Sequence, residues 1–110
     1  MNTRILVAIE SPFAGNLERN KIYLKRCMLD SMSKGEAPFA SHLMYTQVLD
    51  DTIPEERALG MECGQAFYDK MDYMVVYEDY GISPGMEEGI AFGRDEEGME
   101  ILYREIGENP

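Results

Sequence analysis

The sequence predicts an α/β domain with a Rossmann-like three-layer fold, in which helices cover both faces of a small parallel sheet of four to five strands. Two observations predict it. Short apolar runs rich in branched residues, such as 4–9 and 73–77, suit strands that are buried on both faces. These runs alternate with segments of helical period in the order β-α-β-α-β-α-β, which favours parallel pairing. A chain of 110 residues, 45% of them hydrophobic, predicts a single domain over 1–110.

The first half of the chain supplies a strand, a helix and a weaker strand. The run "RILVAI" predicts the first strand, and the turn "SPFAG" follows it. Asn16 is placed to cap a helix that reaches about Ser33, and Gly35 occupies the position that helix C-caps favour. The segment "EAPFA" predicts a weak second strand. The stretch 41–54 then reads as a long connection with little period of its own, and such loops often carry function.

The second half repeats the alternation. Thr52 and Glu55 have the spacing of a capping box, which predicts the start of the second helix. Asp72 precedes "YMVVY", the third strand. The turn "GISPGMEEGIAFG" then opens a third helix that runs to about Glu97, and Gly98 ends it. The segment "MEILYREI" predicts the last strand, and the tail "GENP" is expected to fray.

Charge limits the classes of partner. The net charge is −11, from 21 acidic and 10 basic residues, which argues against a nucleic-acid polymer or an anionic membrane surface as partner. The N-terminus lacks the apolar region of a signal peptide, and no apolar stretch approaches the ~18 residues of a membrane span. We therefore expect a cytoplasmic protein. Neither Cys-x-x-Cys nor a Cys/His pair indicates a metal site.

Three loops are predicted to lie together, because ligands of parallel sheets bind beyond the carboxyl ends of the strands. They are "ESPFAG", "SHLMYTQVLDD" and "EDYGISPGMEE", and the start of the first helix lies beside them. Together these segments carry the candidate polar groups, which are Ser11, Arg19, Asn20, His42, Tyr45, Gln47, Asp50, Asp51, Glu78, Asp79, Ser83, Glu87 and Glu88.

The turn at 81–93 allows a structural and a functional interpretation. It lacks the ending and spacing of a phosphate-binding P-loop, and the first strand is not followed by a dinucleotide fingerprint. The free N–H groups at the start of the third helix could bind an anion or a sugar hydroxyl. Alternatively, Glu87 and Glu88 lie there only because acidic residues stabilise the first turn of a helix.

A glutamate in this turn also suits covalent catalysis. A carboxylate that attacks an anomeric carbon forms a glycosyl-enzyme and divides one difficult displacement into two easier ones. A second acid would then provide the proton for the departing base, and Asp79, Glu78 or an acid of the second loop could serve.

The remaining candidates each have a structural alternative. His42, the one histidine of the chain, is either a hydrogen-bonding structural residue or a catalyst. Phe13 and Tyr45 could stack on a flat base or close the core. Arg19 reaches the ligand edge if its helix starts near Asn16, and otherwise it is a solvated residue.

Four segments together resemble the nucleoside 2-deoxyribosyltransferase superfamily, and within it the small phage and bacterial proteins without an assigned role. They are "ILVAIESPFAGNLERN", "GEAPFASHLMYTQVLDD", "PEERALGMECG" and "DYMVVYEDYGISPGME". The resemblance implies a Rossmann-like sheet and cleavage or transfer at the N-glycosidic bond of a deoxynucleoside or its 5′-monophosphate. It also implies a glutamate nucleophile, no metal or organic cofactor, and a homodimer or larger homo-oligomer in a bacterium or a phage-infected cell.

By the same resemblance, Ser11, Pro12 and Phe13 would border the base and sugar. The loop with His42 and Tyr45 would cover the base. Ser83, Gly85 and Met86 would lie at the sugar or phosphate, and Arg19 is the basic residue placed near a phosphate. Glu87 would be the nucleophile, since "GMEEGIA" matches a superfamily pattern, and Asp79 would assist the base.

One departure leaves an alternative open. The superfamily also spaces its glutamate four residues after the first glycine of the turn, and counted from Gly85 that position is Gly89. Either Glu87 is the nucleophile, with Glu88 a minor candidate, or the nucleophile is missing. In the second case the chain would be a non-catalytic binding protein for a nucleotide or nucleotide-like signal. A third possibility is an interaction subunit whose pocket is filled by Phe13, Met44 or Tyr45.

Overall fold

The computed structural model describes residues 3–107 and confirms the α/β class. Four strands form the sheet: β1 (Ile5–Glu10), β2 (Glu36–Phe39), β3 (Tyr73–Tyr77) and β4 (Ile101–Arg104). Their spatial order is β2-β1-β3-β4, and each neighbouring pair is parallel. The chain therefore changes direction across the sheet between β1 and β3, and the carboxyl ends of these two strands form a switch point.

Helices connect the strands, as the alternation predicts. They are α1 (Leu17–Ser33), α2 (Ser41–Met44), α3 (Pro54–Gln65) and α4 (Pro84–Ala91). A 3-10 turn at Tyr45–Gln47 follows α2, another at Tyr68–Lys70 follows α3, and a π-helical segment at Phe92–Glu96 extends α4.

The predicted boundaries of α1 are confirmed. The Asn16 side chain accepts a hydrogen bond from the backbone N–H of Arg19. Gly35 adopts a φ of +83°, which is the left-handed conformation that ends helices and that glycine adopts without strain. The N-cap and the terminating glycine thus delimit the helix as the sequence indicates.

Two predictions for the next segment are wrong. The stretch 41–54 was predicted as one long connection, but α2 and a 3-10 turn occupy its first part. The capping box at Thr52 does not form, since the N-cap of α3 is Ile53 and no side chain caps it. Pro54 begins the helix instead, and Thr52 donates its hydroxyl to Asp50.

The sheet is buried on both faces. Strand residues Val7, Ile9, Val75 and Tyr77 pack against α1, whose buried side chains there are Tyr23, Leu24 and Cys27. On the opposite face, Ala8, Met74 and Val76 pack against Met86 and Ile90 of α4 and against Tyr68. Successive strand side chains alternate between the two faces, so Glu10 lies on the face of Ala8, beside α4.

Within residues 3–107, no helix combines the length and apolar character that crossing a bilayer requires.

Candidate functional site

A cavity of about 470 Å³ opens at the carboxyl end of the sheet, beside the switch point between β1 and β3. Its walls come from the end of β1 and the loop after it, from α2, from α3 and the turn after it, and from the start of α4. The lining residues are Glu10, Ser11, Phe13, Ala14, Gly15, Ser41, His42, Asp51, Arg57, Met61, Gln65, Tyr68, Ser83, Pro84, Gly85, Met86 and Gly89.

Glu10 provides the carboxyl group of this cavity on the α4 side. It is the last residue of β1, and its Oε2 accepts a hydrogen bond of 3.1 Å from the Tyr68 hydroxyl. Removal of the carboxyl from bulk water raises its pKa to about 8, although the Tyr68 hydrogen bond opposes this shift. At neutral pH the group is therefore mostly protonated, and its ionised form is accessible within the physiological range.

His42 and Ser11 form a second polar pair in the cavity. The Ser11 Oγ and the His42 Nε2 are 2.8 Å apart, which joins the loop after β1 to α2. Burial lowers the pKa of His42 to about 4, so the imidazole is neutral at neutral pH. The Phe13 ring meets the imidazole edge to face, with 6.4 Å between centroids. The pair is thus a neutral hydrogen-bonding surface.

Asn20 holds the loop after β1 in place. This residue of α1 is buried, and its amide nitrogen donates to the carbonyl oxygens of Phe13 at 2.9 Å and Ala14 at 3.2 Å. Its Oδ1 accepts from the Arg19 guanidinium, which itself lies 4.0 Å from the centre of the Tyr80 ring. Asn20 therefore supports the cavity wall from behind, and Arg19 is part of that support.

The start of α4 forms the wall next to β3. Ser83 is the N-cap, and its Oγ accepts a hydrogen bond of 3.3 Å from the Met86 backbone N–H. Pro84 lies in the first turn and cannot donate a backbone hydrogen bond. The buried Met86 packs under this turn against the sheet. The sequence thus forms a capped helix start with its first turn facing the cavity.

Arg57 is the basic residue among those that line the cavity. It projects from α3, and its guanidinium lies 3.9 Å from an Asp51 carboxylate oxygen and 3.5 Å from a Glu88 carboxylate oxygen. Both contacts are long, and the arginine side chain is 39% exposed. The guanidinium is therefore able to meet an anionic group that enters from solvent.

The structure brings seven of the candidate residues to the cavity: Ser11, Phe13, His42, Asp51, Ser83, Gly85 and Met86. Tyr45 lines a smaller adjoining cavity of about 60 Å³, which shares His42 and Arg57 with the first. Pro12 is buried and Arg19 supports Asn20, and neither lines the cavity.

The two predicted catalytic residues lie elsewhere. Glu87 is exposed in the first turns of α4 and is not among the cavity residues. Asp79 accepts hydrogen bonds from the Tyr23 hydroxyl and from the backbone N–H groups of Ile106 and Gly107. These contacts tie the segment after β4 to α1, which is a structural role.

Three ionisable residues that face the cavity were not predicted as site residues from the sequence: Glu10, Tyr68 and Arg57. For Glu10 a signal was present, because an ionisable residue directly after the apolar run 5–9 ends a strand at the ligand edge. Tyr68 and Arg57 carry no comparable signal. Their positions depend on how α3 and the turn after it pack.

In the part of the chain that the structure describes, no three or more His, Cys, Asp or Glu side chains are grouped to hold a metal ion.

One family model matches the chain, over residues 5–104, and its description is "Domain of unknown function (DUF7768)". The match covers most of the 110 residues, so the chain belongs to this family. Neither a curated protein nor a solved structure matches it.

Proposed function

We propose that this member of the DUF7768 family cleaves or transfers at the N-glycosidic bond of a deoxynucleoside or deoxynucleoside 5′-monophosphate, with Glu10 as the nucleophile. One observation carries the proposal. A carboxyl group with an accessible ionised form lies in a cavity at the switch point of the sheet, within hydrogen-bond reach of a tyrosine hydroxyl. Shifted pKa values in a cleft are typical of catalytic groups. The reaction class comes from the sequence resemblance described above.

The first step consumes the ionised form of Glu10. A carboxylate oxygen attacks the deoxyribose C1′ and forms an ester bond, while the C1′–N bond breaks and its electron pair moves to the base nitrogen. Tyr68 donates to Oε2 and so leaves Oε1 for the attack. The two-step route replaces one difficult displacement with two easier ones.

Asp51 is proposed to hold the water that carries the proton. It belongs to the second loop and lines the same cavity as Glu10, whereas Asp79 does not. In the first step a water molecule held by the Asp51 carboxylate gives a proton to the departing base and remains as hydroxide. In the second step, water or another base attacks C1′, Glu10 leaves as carboxylate, and the hydroxide takes the proton of the attacking group. A second carboxylate that can hold water in the same cavity favours an enzyme over a simple binding protein.

The cavity also suits the two parts of the substrate. Phe13 offers a ring that could stack on a flat base, and the Ser11–His42 pair offers neutral hydrogen bonds to it. Arg57 and the start of α4 lie where a 5′-phosphate could be held, because both attract anions. A nucleoside and its monophosphate both remain candidate substrates.

Incubation with a mixture of deoxynucleosides and their monophosphates, with free base measured by mass spectrometry, tests the proposal. The wild type is expected to release base, and Glu10→Gln to lose this activity by about 10³-fold or more. Glu87→Gln is the matched control, because it makes the same chemical change on an exposed residue of α4. If base release is lost in Glu87→Gln and not in Glu10→Gln, Glu87 is the nucleophile instead.

A binding protein for a nucleotide or nucleotide-like signal is the second candidate. It is favoured by the neutral state of the cavity at pH 7, where Glu10 is mostly protonated and His42 is uncharged. Such groups bind a base by hydrogen bonds without chemistry. Retention of a nucleotide on the purified protein, with no free base from any substrate, would establish this function instead.

The proposed setting is the cytoplasm of a bacterium or of a phage-infected cell, and the proposed assembly is a homodimer or larger. The sequence resemblance supports both. Leu29 and Val48 are 64% and 81% exposed, which leaves apolar surface for contact with a second copy. Sedimentation of the purified protein tests the assembly.

A further inference from the structure

Gly89 lies against the carboxyl group of Glu10. A Cβ atom built on this glycine would lie 2.2 Å from Oε2, 2.6 Å from Cδ and 2.9 Å from Oε1 of Glu10. Real Cβ atoms do not approach other heavy atoms so closely. Any side chain at position 89 would therefore displace the carboxyl group from its present place.

Backbone conformation does not explain this glycine. Gly89 lies within α4 and is not among the glycines of positive φ. A glycine inside a helix costs stability relative to alanine, so the position needs another reason. The space taken by the Glu10 carboxyl provides it.

We infer that Gly89 is the positioning residue of the cavity carboxyl, and that positions 10 and 89 are two alternative attachment points for a carboxyl group at one place in the site. In this chain the group extends from the end of β1, and the glycine on α4 leaves room for it. The converse arrangement has a small residue at position 10 and an acidic residue at position 89. This inference rests on the proposed function only for the role of the carboxyl in catalysis.

Local geometry allows the carboxyl group to be attached at position 89 instead of position 10. Position 89 lines the cavity, so a side chain there enters the space that Glu10 vacates. The carboxyl group of an aspartate or glutamate lies one or two bonds beyond Cβ, and the Cβ position itself is 2.2 Å from the present Oε2. The Tyr68 hydroxyl, 3.1 Å from that oxygen, remains close enough to donate to the new group.

The test transfers the carboxyl from strand to helix. Glu10→Ala is compared with the double variants Glu10→Ala/Gly89→Glu and Glu10→Ala/Gly89→Asp. The matched control is Glu10→Ala/Ala91→Glu, which adds the same charge to α4 two residues further on, in a position that does not line the cavity. Circular dichroism establishes that each variant folds.

The first readout is carboxyl titration by side-chain ¹³C NMR, which needs no catalysis. Wild type is expected to show a carboxyl that titrates near pH 8, and Glu10→Ala to lose it. At least one Gly89 double variant is expected to regain a carboxyl that titrates well above the usual range. The inference is overturned if the new carboxyl in both Gly89 double variants titrates at the same pH as the new carboxyl in the Ala91 control.

Gly89→Ala alone gives an independent readout. The added methyl group is expected to push the Glu10 carboxyl out towards solvent, and its titration should move down towards the ordinary range. Unchanged titration would overturn the inference, because the carboxyl would then not depend on the glycine.

Free-base release separates this inference from the proposed function. Recovery of at least tenfold over Glu10→Ala in a Gly89 double variant, with none in the Ala91 control, supports both. If a Gly89 double variant regains a carboxyl with a raised pKa but no protein releases base, wild type included, the two attachment points are supported and the proposed enzymatic function is rejected. If Glu10→Ala still releases base, Glu10 is not the nucleophile. The titration result alone then decides whether positions 10 and 89 can both place a carboxyl group at this point of the site.

Discussion

The hydroxyl of Tyr68 donates a hydrogen bond to Glu10 across 3.1 Å and thereby opposes the rise in the pKa of that carboxyl. Tyr68 follows α3, whereas Glu10 ends β1, so the contact joins a peripheral segment to the centre of the sheet. The two residues together set the fraction of carboxylate that is available at neutral pH. The pH dependence of activity should report this pair.

The wild-type enzyme should become more active as the pH rises. If the ionised form of Glu10 is the nucleophile, kcat/KM increases about tenfold per pH unit below the pKa of about 8 and levels above it. Tyr68→Phe removes a donor to a charged group, worth about 1.5–3 kcal/mol. The variant should therefore lose about tenfold or more in activity at pH 7 and shift its profile to higher pH.

The ring of Tyr68 also packs edge to face with Phe92, and phenylalanine preserves that contact. A change in the pH profile is thus assignable to the hydroxyl. A profile that falls above pH 8 in the wild type would make Glu10 a general acid, and an identical profile in both proteins would disconnect Tyr68 from the reacting group.

Asn20 should control the loop after β1. In Asn20→Ala the carbonyl groups of Phe13 and Ala14 lose their donor, which should lower the free energy of unfolding by about 1–3 kcal/mol. The loop also lines the cavity, so KM should rise several-fold. Urea unfolding and steady-state kinetics measure the two effects. Loss of stability with no change in KM would show that the loop does not contact substrate.

A buried ion pair on the α1 side of the sheet should govern stability in acid. Burial opposes ionisation of Glu36, but hydrogen bonds from Arg104, Tyr73 and Ser31 outweigh it and lower the pKa of this carboxyl to about 2. The folded state thus favours the carboxylate. The resulting stability is present above the unfolded pKa of about 4.5 and is lost as the pH falls towards 2.

Glu36→Gln should therefore unfold more easily than wild type at pH 7, by about 3 kcal/mol, and this difference should shrink as the pH is lowered from 4.5 towards 2. Urea unfolding at a series of pH values measures it. Glu62→Gln, at an exposed position of α3, is the control and should follow the wild-type curve. A constant difference at every pH would contradict the account of the ion pair.

Arg57 should distinguish a nucleotide from a nucleoside. If its guanidinium holds a 5′-phosphate, Arg57→Ala should weaken kcat/KM for a monophosphate by about 10–100-fold, the loss expected for a charge-assisted hydrogen bond. The same variant should lose less activity on a deoxynucleoside, for which only the contact of Arg57 with Asp51 is removed. Arg94→Ala, on an exposed arginine of the π-helical segment, is the control. Equal losses on both substrates would remove Arg57 from phosphate recognition.

Much of the fold is predictable because its signals are local. The branched apolar runs at 4–9 and 73–77 form central strands, and Asn16 and Gly35 mark the ends of α1 by side-chain and backbone geometry. Helix α2 has four residues, too few for a periodic pattern, and Pro54 overrides the capping signal of Thr52. Local patterns thus predict long elements better than short ones.

The site is less predictable because it depends on contacts between distant segments. The loops around Ser11, His42 and Ser83 meet as the parallel topology predicts. The proposed nucleophile is Glu10, which lies 58 residues before the tyrosine that donates a hydrogen bond to it. Sequence similarity around Glu87 cannot show which side of α4 faces the cavity. The packing of Gly89 on Glu10 is visible only in three dimensions.

Mapping of the covalent intermediate tests the central claim most directly. The protein is mixed with a deoxynucleoside or its monophosphate and quenched in acid within milliseconds. It is then digested, and the masses of its peptides are measured by mass spectrometry. We expect a deoxyribosyl ester on the peptide that contains Glu10, absent from Glu10→Gln and present in Glu87→Gln. An ester on the peptide that contains Glu87, or free base without any ester, would contradict the assignment of Glu10 as the nucleophile.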